Sequence, residues 1–449
     1  MTDSYLLDTV SGLQFRYQTP ECIQKVLTFD QPWEREGSLG NVVFEDDGQI
    51  RLYYRGFPGS DKNDLDKMQT TCLAVSEDGL HFRRVPINEI DYAGIKENNI
   101  LRCDEYCHNF MIFKDKNPAC RPEERYKALA GTVYQGGLHA FASPDGIHFH
   151  ALSEEPVLTD GLFDSMNLAF YDERLGVYRC FSRYFTGIWT FSGVTKPGLR
   201  AIQSSSSKDF LHWEKPVHHR YVWTDGRQPE ARLYGPDEEG LTEHLYTNAT
   251  TPIPGAEHLL VSMPMRFTDE RKKIAGHPDR GVSDAILMTS RDGIHWDRSV
   301  KDAWMTGGVE NDREWTQRNF ITLGGILARD DRFYFYVEKH YMWDDGGIWA
   351  YAVPKYRLIS LYADGCGGSF VTKPLTFTDD TFYPNYATSA YGGIAVTVLN
   401  DDGTVFSELP ELYGNELSHP VHVEGLAGRR GRISMRLYEA HLYAMGSAM

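Results

Sequence analysis

Five acidic residues stand at related places in this chain. Glu36, Asp104, Glu243 and Glu314 each lie five positions before an asparagine (Asn41, Asn109, Asn248 and Asn319), and Asp164 lies three before Asn167. Each asparagine opens a run such as Val-Val-Phe after Asn41, Phe-Met-Ile-Phe after Asn109 or Leu-Ala-Phe-Tyr after Asn167. Carboxylates gathered around one pocket shift one another's pKa values, the condition for one to donate a proton while another accepts it. The competing account is loop acids facing solvent: with 63 Asp and Glu in 449 residues, part of the coincidence arises by chance.

The second run of several units ends in further reactive types. These are Arg55 (Tyr-Tyr-Arg-Gly), Arg183, Arg266, and Glu338 with His340 (Tyr-Val-Glu-Lys-His-Tyr), while Asp284 opens a third run. Glu34 and His108 stand beside the first two inner runs. Guanidiniums offer paired donors to polar edges, and Trp33, Tyr106, Phe163, Tyr246 and Trp315 offer flat apolar faces, the needs of a sugar ring. For each aromatic, packing between sheets is an equal alternative. For His108, a hydrogen-bonded structural role competes with proton donation.

A repeat must position these groups. Ser76-Glu-Asp-Gly-Leu-His81-Phe82, Ser143-Pro-Asp-Gly-Ile-His148-Phe149, Ser207-Lys-Asp-Phe-Leu-His212-Trp213 and Ser290-Arg-Asp-Gly-Ile-His295-Trp296 start 67, 64 and 83 residues apart. That spacing fits one four-stranded unit with variable loops. Asp-Gly after Ser makes a tight turn, because glycine accepts positive φ and the Asp and Ser side chains bond nearby amides. His81, His148, His212 and His295 recur once per unit, whereas a catalytic group is needed once, so they are read as architectural. The asparagine register counts five units; the fifth, from about Asn319 to Pro354, keeps Arg332-Phe-Tyr-Phe-Tyr-Val337 as a strand but not the Ser-x-Asp-Gly phrase.

The expected fold is all-β, a five-bladed β-propeller over residues 1–355 whose inner strands start around one mouth of an axial channel. A β-sandwich over 356–449 follows, built from Phe370–Phe377, Ile394–Leu399, the Asn400-Asp-Asp-Gly403 turn and Arg432–Tyr438. Residues 1–30 are expected to add the strand that closes the last blade.

Composition narrows the partners. A formal charge of −17 without an extended basic run excludes nucleic acid and anionic membrane as main partners. Aromatics at 13%, with 26 Tyr, favour cross-strand pairs over long helices. No stretch of about 18 apolar residues occurs, and Met1-Thr-Asp-Ser-Tyr-Leu-Leu-Asp carries no basic region followed by an apolar core, so a soluble cytoplasmic protein is expected. Seven scattered cysteines read as reduced thiols. Cys103 and Cys107 lack a second pair at zinc spacing, and Asp61 to Asp66 does not match a calcium loop, so no metal and no cofactor is expected. A homo-oligomer is left open.

Five units, the Ser-x-Asp-Gly-x-x-Trp/Phe phrases, Pro32-Trp-Glu34 ahead of the first unit and a C-terminal sandwich resemble the five-bladed glycoside hydrolases related to families 32, 43, 68 and 117. The nearest likeness is to a family-32-like branch, through Glu243-His-Leu-Tyr-Thr-Asn248 and Leu412-Tyr-Gly-Asn-Glu416. The resemblance implies acids at the inner strands of the first three blades. Asp164 matches the third; the first offers Ser38 or Gly40 with Glu34 and Glu36 upstream, and the second has His108-Asn109. The expected catalytic residues are therefore Asp164 and Glu243 as a pair, with Glu338 stabilising charge or positioning water. Substrate contacts are expected from Glu34, Arg55, His108, Asn109, Asn167, Arg183, Asn248, Arg266, Asp284, Glu314, Asn319 and His340. The implied activity is hydrolysis of a terminal sugar, a furanoside or related, from a small oligosaccharide or glycoside. A phosphorylase, transglycosidase or lyase, or a non-catalytic carbohydrate-binding propeller, are the alternatives.

Overall fold

The computed structural model describes residues 3–35, 39–58, 69–191, 194–223, 230, 232–234, 240–309 and 311–447. Strands dominate. Among the described residues helical structure is limited to the 3-10 segments Pro122–Glu124, Val133–Gln135 and Asp312–Trp315, and no helix is long and apolar enough to cross a membrane.

Five sheets follow one another along the chain, each built on antiparallel strands in sequence order, with an out-of-order strand added at the edge of the fourth and of the fifth. The first runs Val42–Asp46, Gln49–Gly56, Thr70–Ser76 and Arg83–Arg84. The second runs Met111–Lys114, Tyr126–Ala130, His139–Ser143 and His150–Ala151, and the third Leu168–Asp172, Val177–Phe191, Val194–Ser207 and Val217–His218. The fourth has Thr251–Ile253, Ala256–Ser262, Met288–Ser290 and His295–Asp297, with Arg220–Val222 added in parallel at its edge. The fifth pairs Ile321–Thr322 and Leu327–Arg329 with Arg332–Lys339, then Gly347–Pro354, and Glu21–Thr28 from the N-terminus supplies its outer strand. Beside the fourth lies a small sheet of His244–Leu245, Met265–Thr268 and Val282–Ala285.

Alternation along the strands explains how the sheets stack, since successive side chains point to opposite faces. Ile50, Leu52 and Tyr54 of the first sheet pack with Leu327, Tyr336 and Ile348 of the fifth. Tyr53, Leu73 and Val75, on the other face, join Met111, Ala128 and Phe141 of the second. Phe113 and Leu129 then meet Ala169 and Tyr178 of the third, and Phe181 and Ile202 meet Leu260 and Trp296 of the fourth. Burying each large apolar side chain in this way stabilises the fold by about 1.5–3 kcal/mol. The first and fifth inner strands are also joined directly, Val43 N–H donating to Gly324 O (2.8 Å) and Gly324 N–H to Asn41 O (3.0 Å). The innermost strands of all five sheets, through residues such as Val42, Ile112, Leu168, Thr251 and Leu327, line one cavity of about 390 Å³.

The repeated phrase is a turn of fixed geometry. In the first copy Gly79 N–H donates to Ser76 Oγ (2.9 Å), Leu80 and His81 N–H donate to Asp78 Oδ1 (2.8 and 2.9 Å), and His81 Nδ1 pairs with Asp78 Oδ2 (2.7 Å). The His–Asp distance is 2.7 Å in all four copies. Each turn docks on the preceding sheet: Tyr336 OH donates to Gly79 O (2.9 Å) and Arg51 Nη1 to Asp145 O (2.7 Å). Gly79 has φ +79°, and a Cβ there would lie 2.5 Å from the Tyr336 hydroxyl. The third copy holds Phe210 at the same left-handed position, φ +69°, and packs it on Phe113.

The C-terminal strands form one ten-stranded hydrogen-bonded network dominated by Thr381–Asn400 and Arg430–Gly446. The strands expected there are present. The N-terminal stretch divides: Glu21–Thr28 completes the fifth sheet, whereas Leu7–Ser11 and Gln14–Tyr17 pair with Gly368–Thr372 and Ile359–Ala363 of the C-terminal network. Leu361, Phe370, Ile394, Val396 and Leu437 form its own core.

Candidate functional site

The repeated asparagines are clasps. Asn41 Oδ1 accepts from Arg55 N–H (3.0 Å), Asn109 Oδ1 from Gly131 N–H (3.0 Å) and Asn319 Oδ1 from His340 N–H (2.8 Å). Each ties the start of an innermost strand to the end of the next. Buried side-chain amides must find partners, and these find backbone: Asn319 Nδ2 donates to Arg313 O and Thr316 O, Asn248 Nδ2 to Met166 O (2.7 Å), and Asn167 Nδ2 to Phe163 O (2.8 Å) and Ser165 O. Asn109 Nδ2 also donates to Phe163 O. Asn109, Asn167, Asn248 and Asn319, expected to contact substrate, are almost wholly buried, and their Nδ2 groups are bonded within the chain.

Those clasps position Asp164. The segment Phe163–Met166 is held by Asn109, Asn167 and Asn248, and Ser165 Oγ donates to Tyr246 O (2.7 Å). Asp164 itself forms an ion pair with Arg183, yet its side chain is 57% exposed while that of Arg183 is buried. It is an accessible carboxylate beside a buried guanidinium.

Around it lies a cationic centre. Arg55 Nη1 donates to His108 O (2.7 Å), and Asn41 Nδ2 donates to Glu338 Oε2 (2.8 Å), so Asn41 bridges Arg55 and Glu338. Burial pushes the Arg55 guanidinium down to about 10, against Tyr341 and Glu338, which favour its charge. Arg183 is likewise brought down to about 10 by burial, with Arg200 and Arg318 adding repulsion. His108 is driven well below the usual histidine range by burial and by Arg55, Arg318 and Arg183, so at neutral pH it is a neutral hydrogen-bonding group. At the focus stands Tyr246. Its ring centroid lies 4.9 Å from the Arg200 guanidinium, 5.7 Å from Arg183 and 5.9 Å from Arg318. Burial would raise its pKa, but Arg318, Arg183 and Arg200 together bring the phenol down to about 7. Such a group exchanges a proton near neutrality.

Glu243 belongs elsewhere. It accepts from Arg298 Nη2 (2.5 Å) and faces Arg266 at 3.9 Å, while Arg266 grips Asp284 through Nε (2.9 Å) and Nη2 (2.6 Å). Burial pushes the Glu243 carboxyl up, but Arg298 and Arg266 outweigh it and hold the group below the usual range. Burial raises Asp284 despite Arg266. Among the described residues no hydrogen bond or ion pair links this four-residue cluster to Asp164 or Glu338. Three further expected contacts are likewise taken up in internal pairs. Glu34 accepts from Tyr54 OH (2.5 Å) and from Arg84 Nε and Nη2 (2.9 and 2.7 Å). Glu314 accepts from Lys339 Nζ (2.6 Å). His340 Nδ1 lies 2.9 Å from Asp345, with Asn311 on its other nitrogen. Glu36 and Ser38 lie outside the described residues.

Sequence reasoning passed over Arg200 and Arg318. Arg318 directly precedes Asn319 as His108 precedes Asn109, so the asparagine register carried that signal. Arg318 and Phe320 flank the clasp with φ of +54° and +58°, conformations costly for bulky residues and concentrated at functional sites.

No family model matches the chain, and no curated protein does so either. Solved structures similar in chain course include a glycoside hydrolase at 11% identity, covering 75% of this chain and 92% of that one with a TM-score of 0.47. A β-1,2-mannobiose phosphorylase from Listeria innocua has 13% identity over 74% and 96%, TM-score 0.44. An N-acetylgalactosamine deacetylase from F. plautii, crystallised with blood group B trisaccharide, has 12% identity over 94% and 95%, TM-score 0.42. The functional reading that follows rests on the side chains alone.

Proposed function

We propose that this chain is a carbohydrate-active enzyme, a glycosidase built as a five-bladed propeller over about residues 21–355 with a C-terminal sandwich that also takes in the strands of residues 7–17, acting on a terminal sugar at the mouth where the inner strands begin. The observation that carries it is that Asp164, just ahead of the third sheet, pairs with Arg183 while Glu338 of the fifth acts on Arg55, two of the guanidiniums gathered with Arg318 near Tyr246. Glycoside hydrolysis uses two carboxyl groups flanking the scissile bond, one acting on the anomeric carbon or its water and one passing a proton to the leaving oxygen. Asp164, exposed and paired with Arg183, is the base or nucleophile of this reading. Glu338 is the second carboxyl group of this reading, and the proton relay is assigned to Tyr246. Glu243, the partner expected from sequence, is replaced because Arg298 and Arg266 already occupy its carboxylate.

The test is turnover of a panel of aryl glycosides and short oligosaccharides, with and without phosphate. On the substrate so found, Asp164→Asn and Glu338→Gln should each cost a factor of about 100 or more with unchanged thermal unfolding. Saturable sugar binding without turnover of any panel member would leave a carbohydrate-binding propeller instead.

A further inference from the structure

We propose that Arg55, Arg183, Arg200 and Arg318 form a subsite for an oxyanion beside Asp164, supplied either by an acidic group on the sugar or by inorganic phosphate. The proposal deepens the glycosidase reading and rests on it for the sugar.

Four guanidiniums converge where a neutral sugar would need one or two donors. Arg200, Arg183 and Arg318 surround the Tyr246 ring, Arg318 Nη2 lies 3.4 Å from the Tyr246 hydroxyl and its guanidinium 4.4 Å from the Tyr341 ring, and Arg55 reaches the same group through His108. The acids that face them are Asp164 on Arg183, Glu338 near Arg55, and Asp279 near Arg318, itself bonded by Gln317. Asp164 is the exposed one of the first pair, so its screening by solvent is strong. His108, neutral, adds no charge. At the Glu243 cluster, by contrast, two arginines meet two acids.

Hydrogen bonding points the same way. The Nε of Arg55, Arg183, Arg200 and Arg318 makes no hydrogen bond among the described residues, a state shared singly by Arg298 of the Glu243 cluster but gathered fourfold here, and Arg55 and Arg183 are each only 4% exposed. A buried donor left unpaired costs about 1–3 kcal/mol. Planar guanidinium donors match the oxygens of carboxylate, sulfate and phosphate two at a time, so an oxyanion relieves the excess charge and the unpaired donors together.

Tyr246 supplies a reporter that needs no substrate. Its low phenol pKa comes from Arg318, Arg183 and Arg200, so an anion seated among them must raise it. The ultraviolet tyrosinate band is titrated near neutral pH in the wild type and in Tyr246→Phe, which assigns the transition. The titration is repeated in phosphate, in glucuronate and in glucose, each against chloride of equal ionic strength, with calorimetric titration of the same ligands alongside. We expect phosphate or glucuronate, and not glucose, to move the midpoint up by about one pH unit or more. We expect Arg200→Gln to weaken that ligand at least about tenfold; Arg200→Lys, which keeps the charge but not the paired donors, serves if the first variant does not fold. A response to phosphate alone identifies the free ion, and one to glucuronate alone an acidic sugar. No heat and no shift beyond chloride, or an equal response to glucose, overturns the subsite. Anion binding without turnover of any glycoside keeps the subsite and removes the glycosidase reading; turnover indifferent to anions does the reverse.

Discussion

The rim and the mouth of the five-sheet assembly use the same residue types to opposite ends. At the rim four histidines pair with four aspartates at 2.7 Å, each pair largely exposed and built from one contiguous phrase. At the mouth the charged groups come from the first, third and fifth units rather than from one contiguous phrase, and Arg55, Arg183 and Glu338 are withdrawn from solvent. Repetition marks a part that every unit needs to close its turn and dock on its neighbour. A group supplied once, held by its neighbours and kept partly dry, is where electrostatics has leverage, because solvent screens exposed pairs and spares buried ones.

Three substitutions sharpen this contrast. Asn319→Ala removes the clasp beneath the mouth and strands the buried His340 N–H along with two carbonyl contacts; we expect a loss of about 3 kcal/mol, read as a lowered denaturation midpoint with an unchanged slope. A variant as stable as the wild type would mean the asparagines do not hold the inner strands. Glu243→Gln leaves Arg298 and Arg266 without a charged partner but keeps an acceptor in place, so about 1–2 kcal/mol should be lost. Here turnover should fall far less than in Asp164→Asn, and a fall as deep as that variant's would return Glu243 to the chemistry.

The smallest effect belongs to the rim. His148→Gln should change stability by less than about 0.5 kcal/mol and leave turnover nearly unchanged. Asp145, then Glu89, raise the pKa of His148 to about 8, above the unfolded value of 6.5. Its charged pairing therefore favours the fold below about 6.5 and is lost as pH rises through about 8. An NMR titration should place the midpoint near 8, and Glu89→Gln should lower it. A midpoint that ignores Glu89 would show that the contact seen at 3.0 Å carries no charge coupling.

Sequence alone determined what neighbouring residues decide together. Ser, Asp and Gly within four positions specify a turn through their own hydrogen bonds, and the phrase recurs with one geometry. Alternating apolar residues specify strands, and the asparagine register identifies all five inner strands, including the fifth, where the turn phrase is missing. Asp164 with Arg183 was legible because one precedes the third unit's first run and the other ends its second, even though Asp164 departs from the spacing of the other four acids. Only the tertiary structure decided which charges meet. Glu243 shares its spacing with Glu314 and Asp104, yet its fate depends on Arg298, 55 residues away and outside the repeat. Arg200 and Arg318 converge on Tyr246 from two separate segments, and Leu7–Ser11 and Gln14–Tyr17 leave the nearest sheet for a partner more than 300 residues on. Local hydrogen bonding is written in contiguous residues, whereas the charge and hydration of a carboxylate are set by whatever the fold brings within a few ångströms, and that distance has no counterpart along the chain.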